Sequence, residues 1–543
     1  MARSRLPLWR RISQIFFLLL FIALLIFTSL RPTPGATAEI HLQAPVRLFF
    51  EWDPLVAIAN ALASHALYRG LLWSLVILLP TLFLGRFFCG WICPMGTLQH
   101  FVGNMPSESK RGKQRIESNR YKRWQTVKYV VLIAGLVAAS FGSMAIGWLD
   151  PFSLLVRSIG LAILPAFNSA ARSILLPLEH SHVAWIKAPG EALTAFLGAT
   201  VLDFRQAHFA QGLVLGIVFL VILAASLRVT RFWCRSICPL GALLGAVSRW
   251  SILGLHKDAA SCDKCNRCLL NCQGGDDPIG GVPWRKSECL MCFNCVGSCP
   301  HQSLKFRFFR NEREVASPDI GRRKALTGLA AGAVVVPLMR SNTGMGKGRN
   351  ERLLRPPGAL DETDFLSRCI RCGECMKVCP NNSLHPTLEQ AGLEGLWTPT
   401  LVPRIGYCEP SCVLCSEVCP TGAIWQITPK DKGWIMGATD HPIRLGTAFY
   451  DRGRCLPWAE ATDCIVCEEW CPVSPKAIYV EEAQVIDSAG NTKTLKQPRV
   501  DPSRCVGCGA CEYACPLQER PAVYVTSIGE SRSPSAQILL NRN

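Results

Sequence analysis

The chain has 543 residues, of which 49% are hydrophobic, and it carries a formal net charge of +18. The mean hydropathy is +0.21, which argues against a purely soluble protein and predicts a membrane component. A charge of this size in a soluble protein would suggest nucleic-acid binding. Here much of the positive excess lies in short loops beside apolar segments, so we do not expect a nucleic-acid partner.

Four apolar segments have about the ~20 residues that a helix needs to cross a bilayer. They cover residues 12–30, 67–88, 127–148 and 209–227. The first could be a cleaved signal peptide, but it is long and no small-x-small cleavage site follows it directly, so we expect a retained span. Residues 152–167 form a shorter apolar segment that we expect Pro165 to break, and we interpret it as interfacial or re-entrant.

The distribution of charge predicts how these spans are oriented. Residues 110–128 contain eight Lys or Arg and a single acidic residue, Glu117. The positive-inside rule places this loop in the cytoplasm, together with the basic N-terminus. The loops 31–66 and 149–208 then face the opposite side, and the chain returns to the cytoplasm after the fourth span.

An internal repeat lies at the ends of the second and fourth spans. Its two copies begin at Arg86 and Arg231 and share the pattern Arg-Phe-x-Cys-x3-Cys-Pro-x-Gly. The cysteines of the repeat are Cys89, Cys93, Cys234 and Cys238. Four thiols from two equivalent helix ends could share a metal centre, act as redox-active dithiols, or only pack the helix ends. Because both copies keep every element of the pattern, we expect a redox or metal role.

The next stretch of the chain carries two groups of four cysteines with the spacing C-x2-C-x2-C-x3-C. This is the run of bacterial ferredoxins, in which the fourth cysteine of each group binds the neighbouring [4Fe–4S] cluster. The crossed pairing predicts one set made of Cys262, Cys265, Cys268 and Cys299, and a second set made of Cys289, Cys292, Cys295 and Cys272.

Residues 322–339 have the order of a twin-arginine export signal. Arg322 and Arg323 precede an apolar run over residues 326–339, with Arg340 beyond it. The alternative is a chance Arg-Arg pair before a short core helix. Ala331-Gly332-Ala333 lies inside the apolar run, so we expect no cleavage and a retained fifth span. A Gly-, Asn- and Pro-containing linker follows over residues 341–364.

Four further cysteine groups occupy the C-terminal part of the chain. Crossed pairing predicts four sets: Cys369, Cys372, Cys375 and Cys419; Cys408, Cys412, Cys415 and Cys379; Cys455, Cys464, Cys467 and Cys515; and Cys505, Cys508, Cys511 and Cys471. The second and third groups open with wider gaps and keep the last C-x2-C-x3-C-Pro. Residues 478–480 and 523–525 are predicted strands of the small ferredoxin hairpins.

The cysteine count favours iron–sulfur clusters over zinc. The chain has 28 cysteines, of which 24 fall into the six groups and four into the internal repeat. Zinc sites usually bring C-x-x-C pairs with a longer gap, or histidines, and thiols this close cannot form sensible disulfides. Six oxidised clusters with four thiolates each would offset about 12 positive charges. We therefore predict six [4Fe–4S] clusters.

The predicted fold class is an α-helical membrane domain of about four spans, plus the fifth span, with α+β bacterial-type ferredoxin domains. We predict five regions: a membrane domain (1–255), a cytoplasmic two-cluster ferredoxin (256–310), the twin-arginine-like span and linker (311–364), an exported four-cluster ferredoxin (365–527) and a polar tail (528–543). The sequence has no C-x-x-C-H haem motif, G-x-G-x-x-G fingerprint or P-loop. This pattern predicts an electron carrier.

Residues 1–310 resemble the NapH-type membrane polyferredoxins, and residues 320–527 resemble the NapG/MauM-type exported ferredoxins, so the chain resembles a fusion of the two. The resemblance implies a component of a quinol dehydrogenase in the bacterial inner membrane. Such a component passes electrons from the quinone pool to a periplasmic reductase, such as nitrate reductase, or to a small cytochrome. The chain departs from the pattern in the fusion itself and in Ala325, where the export signal usually has Phe.

Two other interpretations stay open. Cys-x3-Cys-Pro proteins with a cytoplasmic ferredoxin also resemble the CcoG-type family of oxidase assembly or copper-reducing factors. The chain could also be a subunit that only docks other redox partners. Arg86 and Arg231 could contact a quinone headgroup, but arginines at a membrane edge more often anchor spans.

Overall fold

The computed structural model describes residues 6–28, 46–66, 68–105, 112–181, 183–202, 206–309, 318–341, 350–434, 441–486 and 490–532. The predicted features that fall on residues 1–5, 29–45, 67, 106–111, 182, 203–205, 310–317, 342–349, 435–440, 487–489 and 533–543 lie outside the described residues. Two compact units are formed. The first contains Met1–Phe27, Val46–Ile159 and Leu213–Leu338, and the second contains Thr28–Pro45, Gly160–Gly212 and Met339–Asn543.

The first unit is mainly helical. Its longer helices are Leu6–Phe27, Pro54–Ser64, Leu75–Leu84 (preceded by the 3-10 turn Arg69–Ser74), Pro94–Gly103, Gly112–Asn119, Val127–Ser140, Pro151–Ser158, Gly212–Arg228, Pro239–Val247 and Arg322–Ser341. Its shorter helices are Leu48–Glu51, Phe88–Trp91, Arg123–Thr126, Ala145–Trp148, Phe232–Ser236, Ser248–Trp250, Arg267–Leu270, Lys286–Glu288 and Asn294–Ser298.

Two helices of the described chain are long and apolar enough to cross a membrane, judged by length and composition. They are Leu6–Phe27 and Pro151–Glu179. The helices found within the other three predicted spans are shorter. Val127–Ser140, for example, has 14 residues and is about 21 Å long, against a hydrocarbon core of about 30 Å. That helix ends where Gly142 adopts a positive φ of 79°.

The predicted break at Pro165 within residues 152–167 was wrong. Pro165 does not break the segment, which continues as one helical run over Pro151–Glu179. The run contains a π-helical turn at Ile159–Ile163, and Pro165 stands at the start of the α-helix that follows. A wider turn changes the local hydrogen-bond pattern, which lets the chain accommodate a proline that has no N–H to donate.

Aromatic side chains form a core in the first unit. The ring of Phe152 lies 5.7–6.5 Å from the rings of Phe21, Phe49, Phe50 and Phe88. These rings come from four separate helices and are buried. Asp150 positions Phe152, because its carboxylate accepts a hydrogen bond from the backbone N–H of Ser153 (2.7 Å) and caps the helix that Pro151 begins.

The helix Arg322–Ser341 covers the predicted fifth span and packs against Val127–Ser140. A Cβ atom at Gly332 would lie 2.6 Å from the carbonyl oxygen of Ala134, and one at Gly328 would lie 3.0 Å from Ile133. The absence of side chains at these two positions, four residues apart, lets the two backbones approach closely. Lys324 also donates a hydrogen bond to Thr126 Oγ1 (2.6 Å).

The second unit combines short helices with small two-stranded sheets. Its helices are Leu164–Glu179, Ala184–Thr200, Glu362–Arg368, Glu374–Lys377, Leu414–Glu417, Pro429–Lys432, Leu456–Ala459, Val466–Glu469 and Ala510–Ala514. The molecule's strands are β1 (Leu253–Lys257), β2 (Leu304–Phe308), β3 (Leu384–Pro386), β4 (Pro399–Leu401), β5 (Thr447–Tyr450), β6 (Ile478–Ile486), β7 (Thr492–Val500) and β8 (Val523–Thr526).

In the described part of the chain the strands form four antiparallel pairs: β1 with β2 in the first unit, and β3 with β4, β5 with β8 and β6 with β7 in the second. The predicted strands at 478–480 and 523–525 are confirmed as parts of β6 and β8. The nine-residue length of β6 and β7 was not predicted.

Candidate functional site

The sixteen cysteines of the C-terminal groups line four cavities in the second unit. Cavity 1 is lined by Cys369, Cys372, Cys375 and Cys419, and cavity 2 by Cys379, Cys408, Cys412 and Cys415. Cavity 3 is lined by Cys471, Cys505, Cys508 and Cys511, and cavity 4 by Cys455, Cys464, Cys467 and Cys515. The structure thus brings together the same four sets of thiols that crossed pairing predicts.

Each cavity has about the same size and the same kind of wall. The empty volumes of cavities 1 to 4 are about 360, 360, 320 and 340 Å³. Apart from the thiols, the walls are largely apolar, as at Ile370 in cavity 1 and Val506 in cavity 3. Among the described residues, no three His, Cys, Asp or Glu side chains are placed to hold a single metal ion. Four thiols that line one largely apolar cavity without converging on a single-ion site suit a multi-atom cluster better than one ion.

Short helices connect the cavities in pairs. The helix Glu374–Lys377 joins Cys375 of cavity 1 to Cys379 of cavity 2, and Val466–Glu469 joins Cys467 of cavity 4 to Cys471 of cavity 3. A hydrogen bond links the two pairs, because the backbone N–H of Cys408 donates to the carbonyl oxygen of Cys508 (2.9 Å). The four cavities therefore form a series in the order 1, 2, 3, 4.

Burial has a direct effect on the thiols. It raises the pKa of the Cys412 thiol and that of the Cys508 thiol to about 12. These thiols are therefore protonated at neutral pH when no metal is bound. Metal binding must release their protons, which couples cofactor loading to the stability of the fold.

Side chains outside the motifs lie within hydrogen-bond distance of the cysteine sulfurs. The hydroxyl of Tyr450 lies 3.0 Å from Cys467 Sγ in cavity 4. The hydroxyl of Ser383 lies 3.1 Å from Cys379 Sγ in cavity 2, and the Nζ of Lys432 lies 3.3 Å from Cys408 Sγ in the same cavity. These residues were not predicted, since nothing in the cysteine spacing identifies them.

The two cysteine groups at 262–299 are also brought together, in the first unit. Helices Arg267–Leu270 and Asn294–Ser298 lie side by side, and Asn271 Nδ2 donates to Ser298 Oγ (2.9 Å). Burial and the neighbouring Cys292, Cys289 and Cys272 raise the pKa of the Cys295 thiol well above its usual value. Burial raises the pKa of Cys268 to about 12, with Cys262 and Cys299 among its neighbours.

The N-terminal helix contacts this two-group region. The guanidinium of Arg10 donates to Gln273 Oε1 and to Asn294 Oδ1, each at 3.2 Å. The indole N–H of Trp91, within the first Cys-x3-Cys-Pro copy, donates to the carbonyl oxygen of Met291 (2.9 Å). The basic N-terminus, the repeat and the two-group region therefore share one face of the first unit.

The two copies of the repeat hold each other through their arginines. Arg86 of the first copy donates to the carbonyl oxygen of Cys234 (3.1 Å), and Arg231 of the second donates to the carbonyl oxygen of Cys89 (2.7 Å). We call this reciprocal contact the arginine clasp. Both side chains are buried, with 1% and 0% of their surface exposed.

The clasp explains the glycine of each copy. A Cβ atom at Gly241 would lie 2.3 Å from Arg86 Nη2, and one at Gly96 would lie 3.3 Å from Arg231 Nη1. The prolines begin the helices Pro94–Gly103 and Pro239–Val247, where a missing N–H costs nothing. All four cysteines of the repeat are buried around the clasp. Arg231 Nε and Nη2 find no acceptor among the described residues.

Comparison with known sequence families supports iron–sulfur chemistry. A family described as a 4Fe-4S dicluster domain matches residues 441–518, and one described as a 4Fe-4S binding domain matches residues 365–385. Another 4Fe-4S binding domain family matches residues 66–114 and 211–255, which contain the two copies of the repeat. No solved structure matches the chain.

Individual proteins similar to this chain define its relationship more narrowly than the domain families do. The ferredoxin-type protein NapG of Escherichia coli (strain K12) is 35% identical over 225 residues, which cover 39% of this chain and 87% of the relative. The methylamine utilization ferredoxin-type protein MauM of Methylophilus methylotrophus is 33% identical over 210 residues, covering 38% of this chain and 86% of the relative. The putative electron transport protein YccM of Escherichia coli (strain K12) is 25% identical over 305 residues, which cover 54% of this chain and 72% of the relative.

Proposed function

This chain belongs to the family of the ferredoxin-type proteins NapG and MauM, and from that premise we propose that it is a membrane-bound component of a quinol dehydrogenase. In this proposal it takes electrons from quinol and delivers them to a periplasmic reductase, such as nitrate reductase, or to a small cytochrome. The membrane part corresponds to the NapH type and is joined in the same chain to the NapG/MauM-type part.

The observation that carries the proposal is the series of four thiol-lined cavities. We propose that each holds one [4Fe–4S] cluster through its four cysteines, and that the two sets at 262–299 hold two more, six in all. When bound, such clusters accept and give up single electrons. The chain's part is to supply the thiols, exclude water from them and keep the four sites in one series between a donor end and an acceptor end.

The contacts of the second unit support an entry end near cavities 1 and 2. Lys377, in the helix that joins these cavities, donates to the carbonyl oxygen of Thr28 (2.7 Å). Asn382, just past Cys379, donates to the carbonyl oxygen of His208 (2.8 Å). Thr28 directly follows the helix Leu6–Phe27 near the end of the first predicted span, and His208 precedes the fourth span, so both are expected at the membrane face opposite the cytoplasm. Cavity 4, at the other end of the series, is the proposed exit.

The same contacts support a periplasmic position for the C-terminal ferredoxin. Gln211 also donates to the carbonyl oxygen of Pro386 (2.7 Å). The proposed export by the internal twin-arginine segment leaves this domain on the side of the 149–208 loop. The close packing of Gly328 and Gly332 against Val127–Ser140 supports retention of that segment as a membrane helix after export.

The four thiols of the repeat, Cys89, Cys93, Cys234 and Cys238, are proposed as a further redox or metal centre. Support comes from the arginine clasp and from the two N–H groups of Arg231 that have no acceptor among the described residues. Because Arg86 and Arg231 both bind backbone carbonyls across the repeat, we assign them to holding this centre rather than to a quinone headgroup.

A quinol titration tests the proposal. The anaerobically purified full-length protein, reconstituted in liposomes, is mixed with a reduced short-chain quinol analogue while cluster absorbance and electron paramagnetic resonance are recorded. The proposal predicts cluster reduction by the quinol. A protein whose clusters respond to dithionite but not to the quinol would refute it. Reduction of Cu(II) without reactivity toward quinol would instead support the assembly-factor interpretation.

A further inference from the structure

Cavity 2 contains a lysine that the cysteine motifs do not require. Lys432 is the last residue of the short helix Pro429–Lys432 and is fully buried. The hydroxyl of Thr428 accepts from the backbone N–H of Asp431, and the Asp431 carboxylate accepts from the Thr428 N–H, so the helix is capped in both directions. Gly433, with φ of 72°, ends it. This tight turn directs the Lys432 side chain inward.

The surroundings of the Lys432 amino group fit the charged form. Nζ donates to Cys408 Sγ (3.3 Å), to the carbonyl oxygen of Glu409 (2.5 Å) and to that of Cys412 (2.9 Å). An ammonium group has three hydrogens and no lone pair, so these three acceptors satisfy it completely. Nζ also lies 4.0 Å from the centroid of the Trp434 ring, whose face attracts cations.

No carboxylate of the described residues forms an ion pair with Lys432. Glu409 lines cavity 2 but its side chain is partly exposed, so solvent screens its charge. The positive charge of Lys432 therefore acts mainly on the thiolate that it touches, in a site where little water intervenes.

Cavities 1 and 3, on either side of cavity 2 in the series, have different charged residues around them. Cavity 1 is lined by both Arg371 and Glu374, two buried residues of opposite charge. Charges of both signs also act near cavity 3: the Glu512 carboxylate, which accepts from the backbone N–H of Val525 (2.7 Å), and the Arg444 guanidinium, whose charge acts on Cys505. Lys432 thus places a positive charge in contact with a cysteine sulfur of cavity 2, whereas cavities 1 and 3 each have charges of both signs nearby.

We propose that Lys432 raises the reduction potential of the cluster held by Cys379, Cys408, Cys412 and Cys415 above those of the clusters in cavities 1 and 3. Adding one electron makes a cluster more negative by one unit, and a fixed ammonium in contact with a ligand sulfur stabilises that added charge. Lys432 is therefore a positioning residue that would hold electrons temporarily inside the series. The inference rests on the proposed function, since it requires a cluster in cavity 2.

Redox titration of the full-length protein, followed by electron paramagnetic resonance, tests the inference. Lys432→Met removes the charge at similar side-chain length. We expect one midpoint potential to fall by at least 59 mV, which is a tenfold change in the ratio of reduced to oxidised cluster for one electron. Lys432→Arg should restore a value close to the wild type. Lys430→Met, on the exposed side of the same helix, should change nothing.

The possible results of these measurements distinguish a failure of the proposed function from a failure of the inference about Lys432. Wild-type protein without iron would refute the proposed function itself. Unchanged potentials in a Lys432→Met protein that keeps its full iron content would overturn only the inference about Lys432. Lys432→Gln, which can still donate to carbonyls, covers the case in which Lys432→Met loses iron. Loss of iron from both neutral variants would show that Lys432 is needed to hold the cluster rather than to set its potential, which would also overturn the inference.

Discussion

The two cysteine-rich regions use similar motif spacing but protect their thiols differently. In the region at 262–299, Cys265 is exposed and Cys262 and Cys299 are partly exposed. In the C-terminal region, all sixteen cysteines are buried or partly buried. Residues outside the motifs contact sulfurs in both regions, as Ser303 contacts Cys299 and Tyr450 contacts Cys467, but a lysine contacts a sulfur at Cys408 of the C-terminal region. The spacing determines which thiols meet, whereas the segments between motifs determine solvent access and local charge. Two regions with similar motifs can therefore differ in robustness and in reduction potential.

The largest expected effect comes from removing one thiol in each region. Cys412→Ala, in cavity 2, and Cys265→Ala, at the exposed end of the other region, should each lower iron content by about four atoms per chain. Cys412→Ala should also lower the apparent melting temperature clearly, because cluster binding at a buried site contributes to folding. Iron analysis and thermal unfolding of the full-length protein check this.

Cys265→Ala provides the matched comparison, since its thiol is the exposed one. We expect its melting temperature to stay much closer to the wild type than that of Cys412→Ala. Equal losses of melting temperature in the two variants would contradict the idea that burial distinguishes the two regions.

A smaller effect is expected at the arginine clasp. Arg231→Ala removes the hydrogen bond to the carbonyl oxygen of Cys89 and leaves a buried acceptor unpaired. We expect a loss of about 2–3 kcal/mol in the free energy of unfolding, seen as a lower melting temperature in detergent. Arg249→Ala is the control, because Arg249 is exposed and its change should stay within about 0.5 kcal/mol. A clasp variant as stable as the control would show that the two copies do not depend on each other.

The smallest effect concerns a charge network of the C-terminal region. Glu362 accepts hydrogen bonds from Arg355 Nε (3.2 Å) and Arg532 Nη1 (3.0 Å). Burial acts to raise the pKa of Glu362, but these two arginines outweigh it and hold it at about 2, below the ordinary 4.5. A lowered pKa stabilises the fold at all pH values above 4.5, and this contribution disappears as the pH falls from 4.5 to 2.

Glu362→Gln should therefore destabilise the protein already at pH 7, by about 1–2 kcal/mol after allowance for the 29% of the Glu362 side chain that solvent reaches. Thermal unfolding of the iron-loaded protein at pH 7 measures this loss of stability. Glu389→Gln, which changes an exposed carboxylate outside this network, is the matched control and should be neutral. A Glu362→Gln protein as stable as that control would show that the network contributes little.

Local spacing predicted the thiol sets, because three nearby cysteines of one group and a fourth from the neighbouring group can meet without knowledge of the rest of the fold. The strands at 478–480 and 523–525 were predictable because each is a short run of β-branched and aromatic residues, which is also a local signal. The arginine clasp joins two segments about 145 residues apart. The repeat therefore identified Arg86 and Arg231, but it could not predict which carbonyl oxygens they contact. Lys432 and Tyr450 belong to insertions between motifs, where no spacing rule applies. The continuous helix at 151–179 was missed because a proline normally interrupts a helix unless a π-turn precedes it.

Metal and sulfide analysis of the anaerobically purified full-length protein tests the central claim most directly. Six [4Fe–4S] clusters predict about 24 iron atoms and about 24 acid-labile sulfides per chain. Zinc in place of iron, or iron without labile sulfide, would contradict the account.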